Sequence, residues 1–309
     1  MRRRRRLGRR RGSARLQFGA RGGSSGLAGI GALGGLGGRS RGGRGGLAIV
    51  LVLLVGAVIV GFQYCSADEQ TVPITGREQR VGMSDDQQMR LGAQYYDEFI
   101  EDSQDALVTS GPEFELVREV TDRIIEQAAE HKPDFQWEVS LIENPQANAF
   151  CLPGGKMVVY TGILDPAGDA AGLATVLGHE AAHAIAEHGA ERIFRQQLTD
   201  TAIQFAAGAF ADDPAEFRNI AGLLGAGAQV GLSLPWSREQ ESEADHIGLI
   251  YMARAGYDPR AAVTFWERMA EATKGRQQPP EYLSTHPEST TRIEQIKEWL
   301  PEALEEYQS

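Results

Sequence analysis

Cysteine is nearly absent from this chain: its 309 residues hold only Cys65 and Cys151. Neither a disulfide framework nor a cysteine-built zinc site is possible with that supply. Acidic residues are missing altogether from residues 1–46, which carry 13 Arg and too few apolar side chains to bury a core. That segment reads as disordered and cytoplasmic. The rest of the chain sets 18 basic residues against all 42 acidic ones, so no nucleic-acid partner is expected for the folded body. A nucleic-acid-tethering Arg/Gly arm is the rival use of residues 1–46. A topology signal is preferred because the next segment, 47–62, is an uncharged apolar run, LAIVLVLLVGAVIVGF.

Small residues are also missing where processing would need them. Phe62, Gln63 and Tyr64 precede Cys65, which fits neither lipoprotein processing nor signal cleavage, so residues 47–64 read as a retained transmembrane anchor in contact with lipid. Arginines before it, with Asp68 and Glu69 after it, place everything from residue 65 on the far side. The expected location is the inner (cytoplasmic) membrane, single-pass, with the body extracytoplasmic. A mitochondrial inner membrane is the alternative, although the glycine-rich start lacks the amphipathic period of a transit peptide. The run AGLLGAGAQVGLSLPW, residues 221–236, is short and glycine-heavy and reads as a helix packed on the one described next.

Proline is absent from residues 173–192, an Ala-rich stretch that reads as one buried helix and contains HEAAH. On a helix, positions i and i+4 share a face, so His179 and His183 can present two imidazole nitrogens to one Zn²⁺. Glu180 lies about 100° further round, where it can take a proton from a water activated by the metal and pass it to a leaving amine. Small residues at 181, 182, 184 and 186 let another segment approach.

Spacing narrows the candidates for a third ligand. HExxHxxGxxH is absent, with Ala186 and Gly189 at the positions it requires. His188 is no substitute, since it points about 140° away from His183 on the same helix. No glutamate lies between Glu191 and Glu216, and Glu216 sits beside a proline turn. The only ExxxD after HEAAH is Glu241 to Asp245, one turn apart on one helix face, so that Glu241 can ligate while Asp245 orients a ligating histidine. Periodicity alone leaves Glu239 and Glu243 open, with solvated helix charges as their default role. His246 reads as a packing or surface histidine.

Around these motifs the pattern is mixed. Ser84 caps a helix carrying Met89, Tyr96 and Phe99, and a second helix follows Pro112. Alternation over residues 135–141 and a turn at 153–155 frame strands, the second of which, Lys156, Met157, Val158, Val159 and Tyr160, runs to Thr161 directly before the HEAAH helix. This strand is expected to be a sheet edge to which an extended peptide adds by backbone pairing.

HEAAH, SREQESEAD, NAFCLPGGKMVVYTGIL, VPITGR and STHP with Arg292 together resemble metallopeptidase family 48, the gluzincins that include the CAAX prenyl proteases. The resemblance runs from about Val72 to Ile293 and is to the single-anchor branch of bacterial envelope and mitochondrial inner-membrane quality-control proteases. It implies one zinc on His179, His183 and Glu241, Glu180 as general base and Asp245 behind a ligand. It further implies that His286 sits on a mobile loop able to approach the zinc. Arg292 is left either to stabilise an oxyanion or to pair with an acid. The expected fold is α+β, a mainly helical zincin-like metalloprotease domain with a small sheet over residues 65–309, after one N-terminal transmembrane helix. The expected partners are extended or unfolded polypeptides. A zinc-holding chaperone with little proteolysis is the rival, and intact Glu180 argues against it.

Overall fold

The computed structural model describes residues 45–273, 281–286 and 291–308, without the side chains of 226–237, 272, 273 and 281. The reading of residues 1–46 as disordered falls, but for 45 and 46, outside this range, as does Pro287. Helix α1 (Gly46–Ser66) contains the uncharged run and is followed by a hairpin of β1 (Asp68–Thr71) and β2 (Glu78–Val81). Ser84 opens α2 (Asp85–Ser103) with a reciprocal capping box: its Oγ accepts from Gln87 N, and Gln87 Oε1 accepts from Ser84 N. Pro112 stands at the first turn of α3 (Pro112–Ala128), where a missing N–H costs nothing.

The main sheet comprises β3 (Leu107–Val108), β4 (Glu138–Ile142), β5 (Ala149–Leu152) and β6 (Lys156–Tyr160), in the order β3-β4-β6-β5. Strand β6 is parallel to β4 and antiparallel to β5. The expectation that residues 156–160 form a sheet edge is therefore corrected. Lys156, Met157, Val158, Val159 and Tyr160 are paired on both sides, and the last four are buried. A strand flanked by two ladders has no backbone groups left for a third, and the edge falls to β5.

After the short α4 (Leu164–Ala167), the chain enters α5 (Ala170–Ile185), capped by Asp169, which accepts from Gly172 N. Nearly every side chain of α5 is buried. It is Ala- and Gly-rich because its neighbours approach closely: a Cβ on Gly178 would lie 2.8 Å from the carbonyl oxygen of Gly248. The partner here is α7 (Pro214–Arg254), through Ala244, Ile247 and Gly248. The remaining helices are α6 (His188–Phe210), α8 (Arg260–Thr273), α9 (Glu281–Thr285) and α10 (Arg292–Gln308). The α+β, mainly helical architecture agrees with the sequence reading.

One local expectation fails. Residues 173–192 are not one helix: α5 stops at Ile185, Glu187 adopts a left-handed conformation (φ 51°), and α6 starts afresh at His188. The unusual backbone at Glu187 is held by its buried carboxylate, which accepts from Gln88 and pairs with Lys132. The run 221–236 belongs to α7; Gly222, Leu223 and Leu224 are exposed, and the side chains of 226–236, on which its expected packing turns, lie outside the described residues.

Candidate active site

The i, i+4 spacing on α5 brings His179 and His183 together, their Nε2 atoms 3.0 Å apart. Residue 241 of α7 reaches across both. Glu241 Oε2 is 3.3 Å from His179 Nε2 and Oε1 is 3.3 Å from His183 Nε2. One turn on, Asp245 Oδ1 accepts from His179 Nδ1 at 2.9 Å, so the face predicted for Glu241 and Asp245 points into the site. His286 closes the group at the end of α9, with Nδ1 3.0 Å from each Glu241 oxygen and 3.2 Å from His179 Nε2. Ser284 and Thr285, expected in a loop, lie in α9. Ligand atoms of His179, His183, Glu241 and His286 all lie within 4.8 Å of one another.

This donor set suits a cation on chemical grounds. The bond to Asp245 occupies the proton of His179 on Nδ1, which leaves Nε2 as a lone pair. The same holds for His183. His188 Nε2 donates to Glu243 Oε2 at 2.9 Å, so His188 Nδ1 is free to accept from His183 Nδ1 at 2.8 Å. Two imidazole lone pairs and a carboxylate thus converge on one point, with His286 Nδ1 beside the carboxylate. Ligands about 2.0–2.1 Å from a tetrahedral metal stand roughly 3.3 Å apart, close to the separations here.

The electrostatics agree. Burial pushes the Glu241 carboxyl up, but His286, His179 and His183 hold it well below the usual carboxylate range. Burial lowers His183 well below the ordinary imidazole value, against the pull of Glu241. Burial likewise opposes protonation of His179, yet Asp245 and Glu241 carry it to about 9.

Glu180 is buried at the rim of the same group. Its Oε1 is 3.4 Å from His286 Nε2 and finds no hydrogen-bond partner among the described residues. Arg292 is also buried, lying flat on Trp266 with its guanidinium carbon 3.5 Å from the ring centre. It donates to Asp245 Oδ1 at 2.7 Å and lies 3.4 Å from Glu241 Oε2. Of its two readings, the placement realises the acid-pairing one. Glu216 is exposed at the start of α7, where it accepts from Asp212 N. His246 stacks on Trp299 and faces Glu302.

Sequence reasoning missed His188 and Glu243. The helix break at Glu187 turns His188 back onto His183, with ring centres 4.9 Å apart. Glu243 is buried, not solvated: Thr75 Oγ1, Arg77 Nε and His188 Nε2 all donate to it. Arg77 also donates to Glu191, which accepts from Gln240 as well. The VPITGR segment thus serves as a clamp on this carboxylate pair. A usable signal was present in the spacing of His188 and Glu191 after HEAAH, but only if the helix was known to break.

The model of Peptidase family M48 matches residues 112–300, which include the whole metal-competent group. The chain is 40% identical over 250 residues to the mitochondrial metalloendopeptidase OMA1 of Schizosaccharomyces pombe, covering 80% of this chain and 72% of that one. It is 34% identical over 243 residues to the human mitochondrial metalloendopeptidase OMA1, covering 75% of this chain and 46% of the relative. To the beta-barrel assembly-enhancing protease of Escherichia coli it is 30% identical over 237 residues, covering 74% and 46%. The chain therefore spans most of the fission-yeast protein and less than half of the other two.

Proposed function

This chain is a metallopeptidase that belongs to peptidase family M48, and on that premise we propose that it is a membrane-anchored zinc endopeptidase acting on unfolded or damaged polypeptides in protein quality control. The observation that carries the reading is the convergence of two imidazole lone pairs and one carboxylate beside a buried glutamate whose Oε1 has no hydrogen-bond partner among the described residues. His179, His183 and Glu241 would hold one zinc. When bound, it supplies a Lewis acid that polarises the scissile carbonyl and acidifies the attacking water.

The other tasks fall to the protein. Glu180 Oε1 takes the proton of the attacking water and returns it to the departing amine. Asp245 fixes the tautomer of His179, and Arg292 fixes Asp245 from behind. Glu243, through His188, does the same for His183. His286 occupies the fourth corner of the donor group, so the resting site is closed until α9 moves away. Extended substrate pairs with β5, the free edge beside α5; recognition through the main chain selects unfolded segments.

Helix α1 anchors the enzyme with residues 65–309 on the side opposite the Arg-rich segment. The membrane is an inner membrane, bacterial or mitochondrial, and the OMA1 relatives favour the second. The test is casein cleavage by the purified full chain. Cleavage is expected to stop with a chelator and return with stoichiometric zinc. Activity indifferent to chelation removes the metal from the reaction.

A further inference from the structure

Beyond Arg195, α6 leaves the metal site and follows the anchor. Gly56 is the one buried residue of α1, and a Cβ on it would fall 2.6 Å from Phe205 Cβ. Nearer the catalytic domain, Gln63 and Ser66 share a cleft with Phe194, Gln197 and Leu198. As numbers rise along α1 they fall along α6, so the two helices are antiparallel. With equal rise per residue, Asp200 stands about level with Gly61, and Asp212 about level with Ile49.

That register matches the distribution of charge. Residues 201–211 of α6, TAIQFAAGAFA, carry none, and they lie alongside the uncharged run of α1. The chain then turns at Asp212, Asp213 and Pro214, where Asp213 caps the return helix by accepting from Ala215 N and Glu216 N. On the way back, Phe217 of α7 lies against Gly208 of α6, 4.0 Å from where its Cβ would be. After Arg218, residues 219–237 bear no charge and stay in the same continuous helix, roughly 28 Å of it. The described part of this hairpin presents apolar side chains outward: Phe210 is 55% exposed and Leu223 76%. In water such a surface is a liability, and the leucines of the neighbouring α1, among them Leu47, Leu51 and Leu54, are exposed as well.

We propose that the α6–α7 hairpin is embedded in the same bilayer as α1, its outer face covered by lipid acyl chains and its acidic turn delivered to the headgroups on the Arg-rich side. The inference rests on the reading of α1 as a membrane span. Outside the turn the hairpin backbone is helical, the form a bilayer demands, with Pro235 alone lacking an N–H to give. The uncharged half of α6 is only about 16 Å long, which is why α1 alone among the described residues has the length and composition of a span; the bilayer thins to meet it. One consequence reaches the chemistry: α7, which carries Glu241, is rooted in the membrane at its other end.

The test uses the full chain in sealed vesicles with Cys65→Ser and Cys151→Ser, single new cysteines, and a membrane-impermeant maleimide. Glu305→Cys should be labelled from the peptidase side, and Ser40→Cys and Ala215→Cys only from the opposite side. Leu223→Cys should stay unlabelled until detergent is added and should capture a photoactivatable acyl chain. Labelling of Ala215→Cys from the peptidase side, while Ser40→Cys remains opposite, places the hairpin in water and overturns the inference with the anchor intact. Labelling of Ser40→Cys from the peptidase side overturns the anchor as well. Shielding of Leu223→Cys by cross-links to a second copy, with no lipid capture, replaces lipid by protein and also overturns it.

Discussion

Each of the two histidines proposed to hold the metal leans on its own carboxylate, but by different routes. Asp245 touches His179 directly, whereas Glu243 reaches His183 through His188. Loss of a partner that orients a ligand typically lowers metal affinity about 10- to 100-fold. His188→Ala and Glu243→Gln are therefore expected to weaken zinc binding in that range, and Glu239→Gln, an exposed position, to leave it unchanged. Competition with a chromophoric chelator measures all three, and equal affinities throughout would remove the His188 route.

Glu243 also sets an acid limb. Burial raises its carboxyl, but His188, Arg77 and Thr75 outweigh that and bring it to about 2, below the ordinary 4.5. A depressed carboxyl contributes stability that is fully present above about 4.5 and is lost as pH falls from there towards 2. Thermal melts across that window should fall less steeply for Glu243→Gln than for the wild type. At this scale HEAAH and ExxxD were legible because helical spacing alone puts their side chains on shared faces. His188 and Glu243 were not, because their meeting depends on a left-handed Glu187 held by Gln88 and Lys132, residues 99 and 55 positions away.

Among the elements, α9 carries the proposed gate: it is a short helix, and the residue that follows it, His286, adds one side chain to the donor group. His286→Ala is expected to retain zinc and to cleave casein faster than the wild type in a single-turnover assay. An inactive variant with normal zinc content would make His286 a catalytic group in place of a gate. The sequence reading found this histidine but misjudged the strand beside it. Apolar β6 looks like a strand from its composition, yet composition does not say which neighbours a strand takes. Only the pairing with both β4 and β5 shows that it is central.

For the whole molecule, the apolar helix and the α+β body were plain from the sequence, since one is an unbroken apolar run and the other mixes helical and strand periods. The alliance of α1 with α6 was hidden, because residues 201–211 are too short to register as a span and acquire meaning only alongside Gly56. What unifies the molecule is a metallopeptidase fold, and the central proposal is that its proton carrier, Glu180, is distinct from its metal ligands. Glu180→Gln tests that most directly, with zinc content and casein cleavage measured on the same preparation. The account predicts about one zinc per chain and a rate lower by several orders of magnitude; a variant that cleaves at a rate near the wild type, or that loses its zinc, would contradict it.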